Sequence, residues 1–191
     1  MQSPAFVVLQ IDASLTDEQG TQPFKGGQVW VDGEPRGATP LTLDLPRGPH
    51  SVRLVYKGQE APIQLIDLPG GNQRFAVFEF GLDRDVPRLV VDVPTRVPRD
   101  RPAVISGTLA GVAATEVRGM WLHARLVDGP WRRYDMTLLK SPAGAVGVAP
   151  FPLAAFDAQG RARYYLSAQY GQGDESFTEI RTIALEAGAN R

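Results

Sequence analysis

Two histidines, His50 and His123, are the side chains best suited to acid–base or metal chemistry in this sequence, and both fall inside segments of alternating apolar residues. Catalytic zinc usually takes about three protein ligands, and neither histidine has a clustered carboxylate. Both are expected to be cross-strand or partly buried hydrogen bonders. Cysteine is absent, which removes disulfides, thiolate metal sites and cysteine nucleophiles. Asp32 and Glu34 are close enough to pair, but no acid–base partner accompanies them. No Gly-x-Ser-x-Gly elbow, Walker loop or His-Glu-x-x-His stretch occurs. Gly70-Gly71 and Gly171-Gln172-Gly173 lack the strand-to-helix setting that cradles phosphate. Asp174 and Glu175 fall short of the roughly six to eight oxygens calcium takes, so a hairpin turn is expected there. The chain is expected to be no enzyme and to carry no cofactor and no metal.

Binding chemistry is better represented. Trp131, Arg132, Arg133 and Tyr134 run consecutively after Asp128-Gly129-Pro130. In a strand, alternation puts Trp131 and Arg133 on one face and Arg132 and Tyr134 on the other. An aromatic ring beside guanidinium groups suits stacking on a sugar or anchoring a protein contact. Tyr164 and Tyr165 point to opposite faces of their strand, so one is expected in the core and the other, taken as Tyr165, at the surface. Trp121 is expected in the core. For Trp131, core and surface both stay open.

The elements that must position these residues are strands. The 20 glycines and 16 prolines break the chain into short pieces rich in Val, Leu, Phe and Tyr, and period-two alternation within them is the mark of a strand. The first half yields strands at 5–12, 28–32, 41–45, 50–56, 61–66 and 74–79. In the fourth, Val52, Leu54 and Tyr56 share one face and Ser51, Arg53 and Val55 the other. Asp32-Gly33, Pro46-Arg47-Gly48 and Pro69-Gly70-Gly71-Asn72 are the turns between them. Helical periodicity is confined to single turns at 15–19 and 110–116.

A proline- and arginine-rich stretch follows, and a domain boundary is expected near Asp85, giving domains 1–85 and 86–191. The second half yields strands at 88–93, 103–109, 118–125, 131–138, 145–148, 162–170 and 177–185, with Pro94–Arg101 as a connecting loop. Asp128-Gly129-Pro130 and Asp157–Gly160 are expected hairpin turns. Seven short strands at such spacing suggest an immunoglobulin-like or fibronectin-like sandwich. The expected class is all-β, with two small β-sandwich domains in tandem.

Charge narrows the partners. The chain holds 20 Lys and Arg against 21 Asp and Glu, a net of −1. Nucleic-acid binding driven by counterion release needs a clustered cationic excess, so no nucleic acid is expected. Residues 1–86 carry 7 basic and 11 acidic groups (−4), and residues 87–191 carry 13 and 10 (+3). No apolar run approaches the roughly 18 residues that cross a bilayer, and 5–11 is too short for the apolar region of a secretory leader. Met1 is either a native start or the beginning of a chain whose leader has been removed.

Residues 29–41, Val-Trp-Val-Asp-Gly-Glu-Pro-Arg-Gly-Ala-Thr-Pro-Leu, supply a strand, a "VDG" turn and a "G-x-TP" entry to the next strand. Leu45-Pro46-Arg47-Gly48-Pro49-His50-Ser51-Val52 then reads "L-x-x-G-x-H-x-V". In this ordered succession the segment 27–80 resembles the PEGA domain, a β-domain of bacterial envelope and surface proteins. Gln59 stands where the family has a tyrosine. The resemblance implies a fold-defining role for the motif, with His50 at the family's histidine position. Tyr134-Asp135-Met136 and Arg161–Ala168 resemble strands of the sandwiches that accompany PEGA domains.

The expected function is a non-catalytic cell-envelope binding or scaffold module that contacts protein or cell-wall polysaccharide. By resemblance it would be periplasmic or displayed at the cell surface. A carbohydrate-binding module using Trp131 and an exposed tyrosine is the alternative, and a cytoplasmic adaptor stays open.

Overall fold

The computed structural model describes residues 6–17, 20–69, 74–81, 87–92, 96–97, 103–125, 129–141 and 144–185. The chain divides into two compact units, Met1–Val86 and Pro87–Arg191. The boundary expected near Asp85, most of the Pro94–Arg101 loop, Asp128 and the Gly70–Asn72 turn lie outside the described residues.

In the first unit, strict alternation of Val7, Leu9, Ile11 and Ala13 makes one long strand, β1 (Phe6–Asp17), with all four side chains buried. It runs on through Leu15–Asp17, where a helical turn was expected, and pairs there with β2 (Gly20–Phe24). β3 (Gln28–Val31) and β4 (Glu34–Ala38) form a hairpin around Asp32-Gly33. β5 (Leu41–Pro46), β6 (Gly48–Tyr56), β7 (Gln59–Glu60), β8 (Gln64–Leu68) and β9 (Arg74–Gly81) complete the unit. The strand expected from Ala61 begins only at Gln64, after Pro62, which has no N–H to give a ladder.

β1 is the hub of one sheet, antiparallel to β5 and β2 and parallel to β9. The second sheet runs β4-β3-β6, with β7 and β8 both on β6. Leu9, Ile11 and Phe78 from the first sheet meet Val31, Val52 and Leu54 from the second in one buried core. Ser51 and Arg53 lie on the face of β6 away from Val52 and Leu54, as the alternation requires.

The second unit holds β10 (Arg88–Asp92), β11 (Arg96–Val97), β12 (Val104–Ala110), β13 (Val117–Arg125) and β14 (Trp131–Asp135). β15 (Thr137–Ser141), β16 (Gly144–Pro150), β17 (Arg161–Tyr170), β18 (Asp174–Phe177) and β19 (Arg181–Leu185) follow. A short 3-10 turn, Ala114–Glu116, precedes β13. A four-stranded sheet, β10-β12-β16-β15, packs against a six-stranded one, β11-β19-β17-β13-β14 with β18 also on β17.

Two expected strands are each divided. The segment 131–138 breaks at Met136, so β14 belongs to the six-stranded sheet and β15 to the four-stranded one. Met136 is buried, and its N–H donates to the Met120 carbonyl at 3.0 Å, which anchors the crossing. The segment 177–185 breaks at Thr178: Ser167 faces Phe177 but Tyr164 faces Arg181, so three steps on β17 oppose four on its partner. That is the register of a bulge. Thr178 fills the gap, its Oγ1 accepting from the Leu166 N–H at 2.9 Å and its own N–H donating to the Leu166 carbonyl at 3.0 Å.

Gly107 and Gly147 face each other on paired strands of the four-stranded sheet. A Cβ at Gly107 would lie 2.6 Å from Leu166 Cδ1, and one at Gly147 would lie 3.0 Å from Met120 Cβ. Glycine there makes room for large side chains of the opposite sheet, and this is a packing requirement that no turn chemistry announces.

Candidate functional site

Two constellations of polar and aromatic residues are built by these sheets, one in each unit.

In the first unit, Asp32 takes a left-handed backbone (φ 52°) at the β3–β4 turn, a conformation that Asp tolerates better than most residues. Its N–H donates to the Ser51 carbonyl at 2.9 Å, and its carboxylate turns back onto β6. One oxygen accepts from the Ser51 N–H at 2.9 Å and the Ser51 hydroxyl at 3.3 Å. The other is 2.9 Å from His50 Nδ1, and His50 Nε2 is 2.9 Å from the Pro46 carbonyl oxygen. His50 and Ser51 are both buried. The aspartate of "VDG" and the histidine of "H-x-V" are thus two ends of one network that ties a turn to the neighbouring strand. Every polar atom of the network serves the fold, which is the part the sequence assigned to the motif.

In the second unit, the outward face of the six-stranded sheet gathers aromatic rings and arginines. On β13 the inward set is Met120, Leu122 and Ala124, so Trp121, His123 and Arg125 face outward. Register then sets their neighbours: Trp131 opposite Arg125, Arg133 opposite His123, and Tyr165 opposite His123 from the other side. His123 lies flat on Tyr165, with centroids 4.3 Å apart and planes 6° from parallel. Trp131 reaches across β13 to the same tyrosine, 5.1 Å away and tilted by 57°. The Arg133 guanidinium sits over the Trp121 ring at 5.3 Å. Gly119 leaves space for that indole, since a Cβ there would come within 2.6 Å of it.

The five residues singled out in the sequence separate. Trp131, Arg133 and Tyr165 come together on the outward face. Arg132 and Tyr134 point to the other side, where Tyr134 packs against the core and Arg132, at the sheet edge, stays exposed. The expectation that Tyr165 would be exposed is corrected: only 6% of it is accessible, and Tyr164 on the opposite face is buried as well at 2%. Facing away from the core did not leave Tyr165 bare, because His123 and Trp131 cover it. Trp121, expected in the core, is half-buried on the outward face instead. Trp121, His123 and Arg125 were missed as site residues, although the alternation Met120, Leu122, Ala124 already placed them together on the other face.

Burial, and next the positive charge of Arg133, lower the His123 pKa from 6.5 to about 4. Its Nε2 is 2.8 Å from the Ser167 hydroxyl. A serine beside an imidazole is the beginning of an activated nucleophile, but here Ser167 is itself buried and no carboxylate orients Nδ1 among the described residues. An imidazole held near 4 is a weak base at neutral pH. Among the described residues, no group of three or more His, Cys, Asp or Glu is placed to hold a metal ion.

Residues 21–68 match the PEGA domain. The matched stretch runs from β2 to the end of β8 and contains the whole Asp32–His50–Ser51 network, while β1 and β9, which supply Leu9, Ile11 and Phe78 to the core, lie outside it. The PEGA domain is associated with extracellular or envelope proteins. The match covers about a quarter of the chain, so it speaks for the first unit alone. No curated protein matches the chain at a significant level. No helix among the described residues is long and apolar enough to cross a membrane.

Proposed function

We propose that the chain is a non-catalytic, envelope-associated binding or scaffold module in which the second unit makes the contact. The observation that carries this reading is the joining of Trp131, Arg133 and Tyr165 with Trp121 and His123 on one sheet face. Trp, Tyr and Arg are the residue types that dominate binding hot spots, and here they gather on the face turned away from the other sheet. The PEGA match supports the envelope setting.

The second unit is read as an immunoglobulin-like sandwich. Its support is strand order: β10-β12-β16-β15 and β14-β13-β17-β19 correspond to the A-B-E-D and C′-C-F-G orders of that fold.

A sugar-binding platform of Trp131 with an exposed tyrosine fits the geometry poorly. The two rings are tilted by 57° and Tyr165 is covered, so they form no flat, accessible pair.

The test is a pull-down from extract of the source organism, with and without glycan digestion, using the full chain and a Trp131→Ala, Arg133→Ala variant whose fold is checked by circular dichroism. A protein captured by the wild type, retained after digestion and lost with the variant is the expected result. Capture that disappears with glycan moves the reading to polysaccharide, and no capture at all overturns it.

A further inference from the structure

We infer that the outward face of the six-stranded sheet recognises an acidic segment of a partner protein, with Arg125 and Arg133 receiving its carboxylates and Trp131 and Trp121 its apolar side chains. This rests on the binding reading above and names the partner's chemistry.

Three observations carry it. The first is charge. Arg125 and Arg133 are exposed, two residues apart in register on adjacent strands, and neither has a carboxylate partner among the described residues. His123 between them is neutral at pH 7 and offers no competing cation or anion. Asp135 shares the face, two residues from Arg133 and opposite Trp121, so the two arginines lie together on one side of it. A guanidinium fork pairs a carboxylate with two parallel hydrogen bonds.

The second is preorganisation. Arg133 is already seated on the Trp121 ring at 5.3 Å, and Trp131 is propped on Tyr165. Side chains held this way lose little rotamer freedom on binding. Tyr165 is the buried floor of the cluster, and the two half-buried indoles rise on either side of the Arg133–His123 row.

The third is place. Among the described residues β14 ends the order of its sheet, so an extended segment can lie along that edge with side chains reaching over the face. β14 spans five residues before Met136 takes the chain to the other sheet, and this limits the paired stretch to a similar length. A pyranose chain wants ring faces presented flat, and the 57° tilt denies it that. A phosphate backbone wants a continuous cationic track, and Asp135 on this face with Glu175 on β18 interrupts one.

The experiment uses the full chain with 15N-labelled indoles. Trp121 and Trp131 report on the face, and Trp30, in the first unit, is the internal reference. Three probes are titrated to millimolar concentration: a twelve-residue peptide of Glu, Asp and Leu, the same peptide with Gln and Asn for its acids, and an oligogalacturonate as anionic glycan. The expected result is that the acidic peptide shifts the Trp121 and Trp131 indole signals and leaves Trp30 in place. The amide peptide should bind at least about tenfold more weakly, and Arg125→Glu and Arg133→Glu should each weaken the acidic peptide by a similar factor. An unchanged Trp30 signal and circular dichroism show that each variant is folded. The inference is overturned if neither indole moves, if the charge reversals leave binding unchanged, or if the glycan binds more tightly than the peptide. In those cases a partner captured in the pull-down keeps the broader binding reading alive, and an empty pull-down removes that too.

Discussion

His123 stacks on Tyr165 across two paired strands, ring centroids 4.3 Å apart and planes within 6° of parallel, and burial with Arg133 alongside brings its pKa down to about 4. The unfolded chain protonates this imidazole near the ordinary 6.5, so between about 6.5 and about 4 the unfolded state binds the extra proton. Stability contributed by the neutral ring is therefore complete above that window and is lost as pH falls through it. Urea unfolding from pH 7.5 to 4 should show the second unit weakening on acidification. His123→Gln should flatten the difference, whatever the carboxylates add to both curves. Identical pH slopes for the two proteins would contradict the assignment.

Asp32 and His50 are eighteen residues apart in sequence and 2.9 Å apart in the fold. Asp32→Ala removes the acceptor for the Ser51 N–H and for His50 and places Ala in a left-handed turn. A loss of about 2–3 kcal/mol is expected, since a buried donor is left unmade. Asp32→Asn keeps one acceptor and tolerates the backbone, so it should cost about 1 kcal/mol. Denaturant unfolding read at the Trp30 indole checks both values, and an Asn variant as unstable as the Ala variant would refute the acceptor role.

Gly107→Ala should destabilise the second unit by about 1–3 kcal/mol through overpacking against Leu166. The diagnostic measurement is the double variant. With Leu166→Ala already made, the added methyl has room, so Gly107→Ala should cost nearly nothing there. Additive losses in the thermal midpoints would show that the glycine is needed for another reason.

Thr178 and Thr39 do the same job in different units. Thr39 Oγ1 accepts from the Gly27 N–H at 3.1 Å, and Thr178 Oγ1 from the Leu166 N–H at 2.9 Å, with both threonines buried. Replacing either with Val keeps the shape and strands one backbone donor, which costs about 1–3 kcal/mol. Hydrogen exchange should accelerate most at Gly27 in the first variant and at Leu166 in the second. A uniform rise across the unit would indicate a packing effect instead.

Much of the fold was legible because β-structure writes itself locally. Alternation in Val52–Tyr56 and in Trp131–Tyr134 told which residues share a face, and Asp32-Gly33 told where the chain turns. Breaks inside a strand were not legible. Nothing in 131–138 marks Met136 as the residue where the strand changes sheets, because its apolar spacing suits either sheet. The bulge at Thr178 was hidden for a similar reason, since a hydroxyl completes the ladder there and the alternation on either side looks continuous. β1 ran past Asp12 because β2 and β9 were waiting to pair with it, and pairing partners are remote in sequence.

The candidate site divides along the same line. The sequence by itself determined that this is an all-β chain and that Trp131 and Arg133 share a face, while the likeness of its first segment to a PEGA domain rests on motif order. Those properties follow from the two-residue period of a strand and from turn residues with restricted backbones, both of which act over a few neighbours. Only the tertiary structure decided that Trp121 faces outward, that Tyr165 is covered, and that His123 and two arginines complete the cluster. Periodicity sorts side chains into two sets but does not say which set meets the other sheet. That choice belongs to the packing of the two sheets, and the cover over Tyr165 comes from rings on separate strands that meet only when register is set.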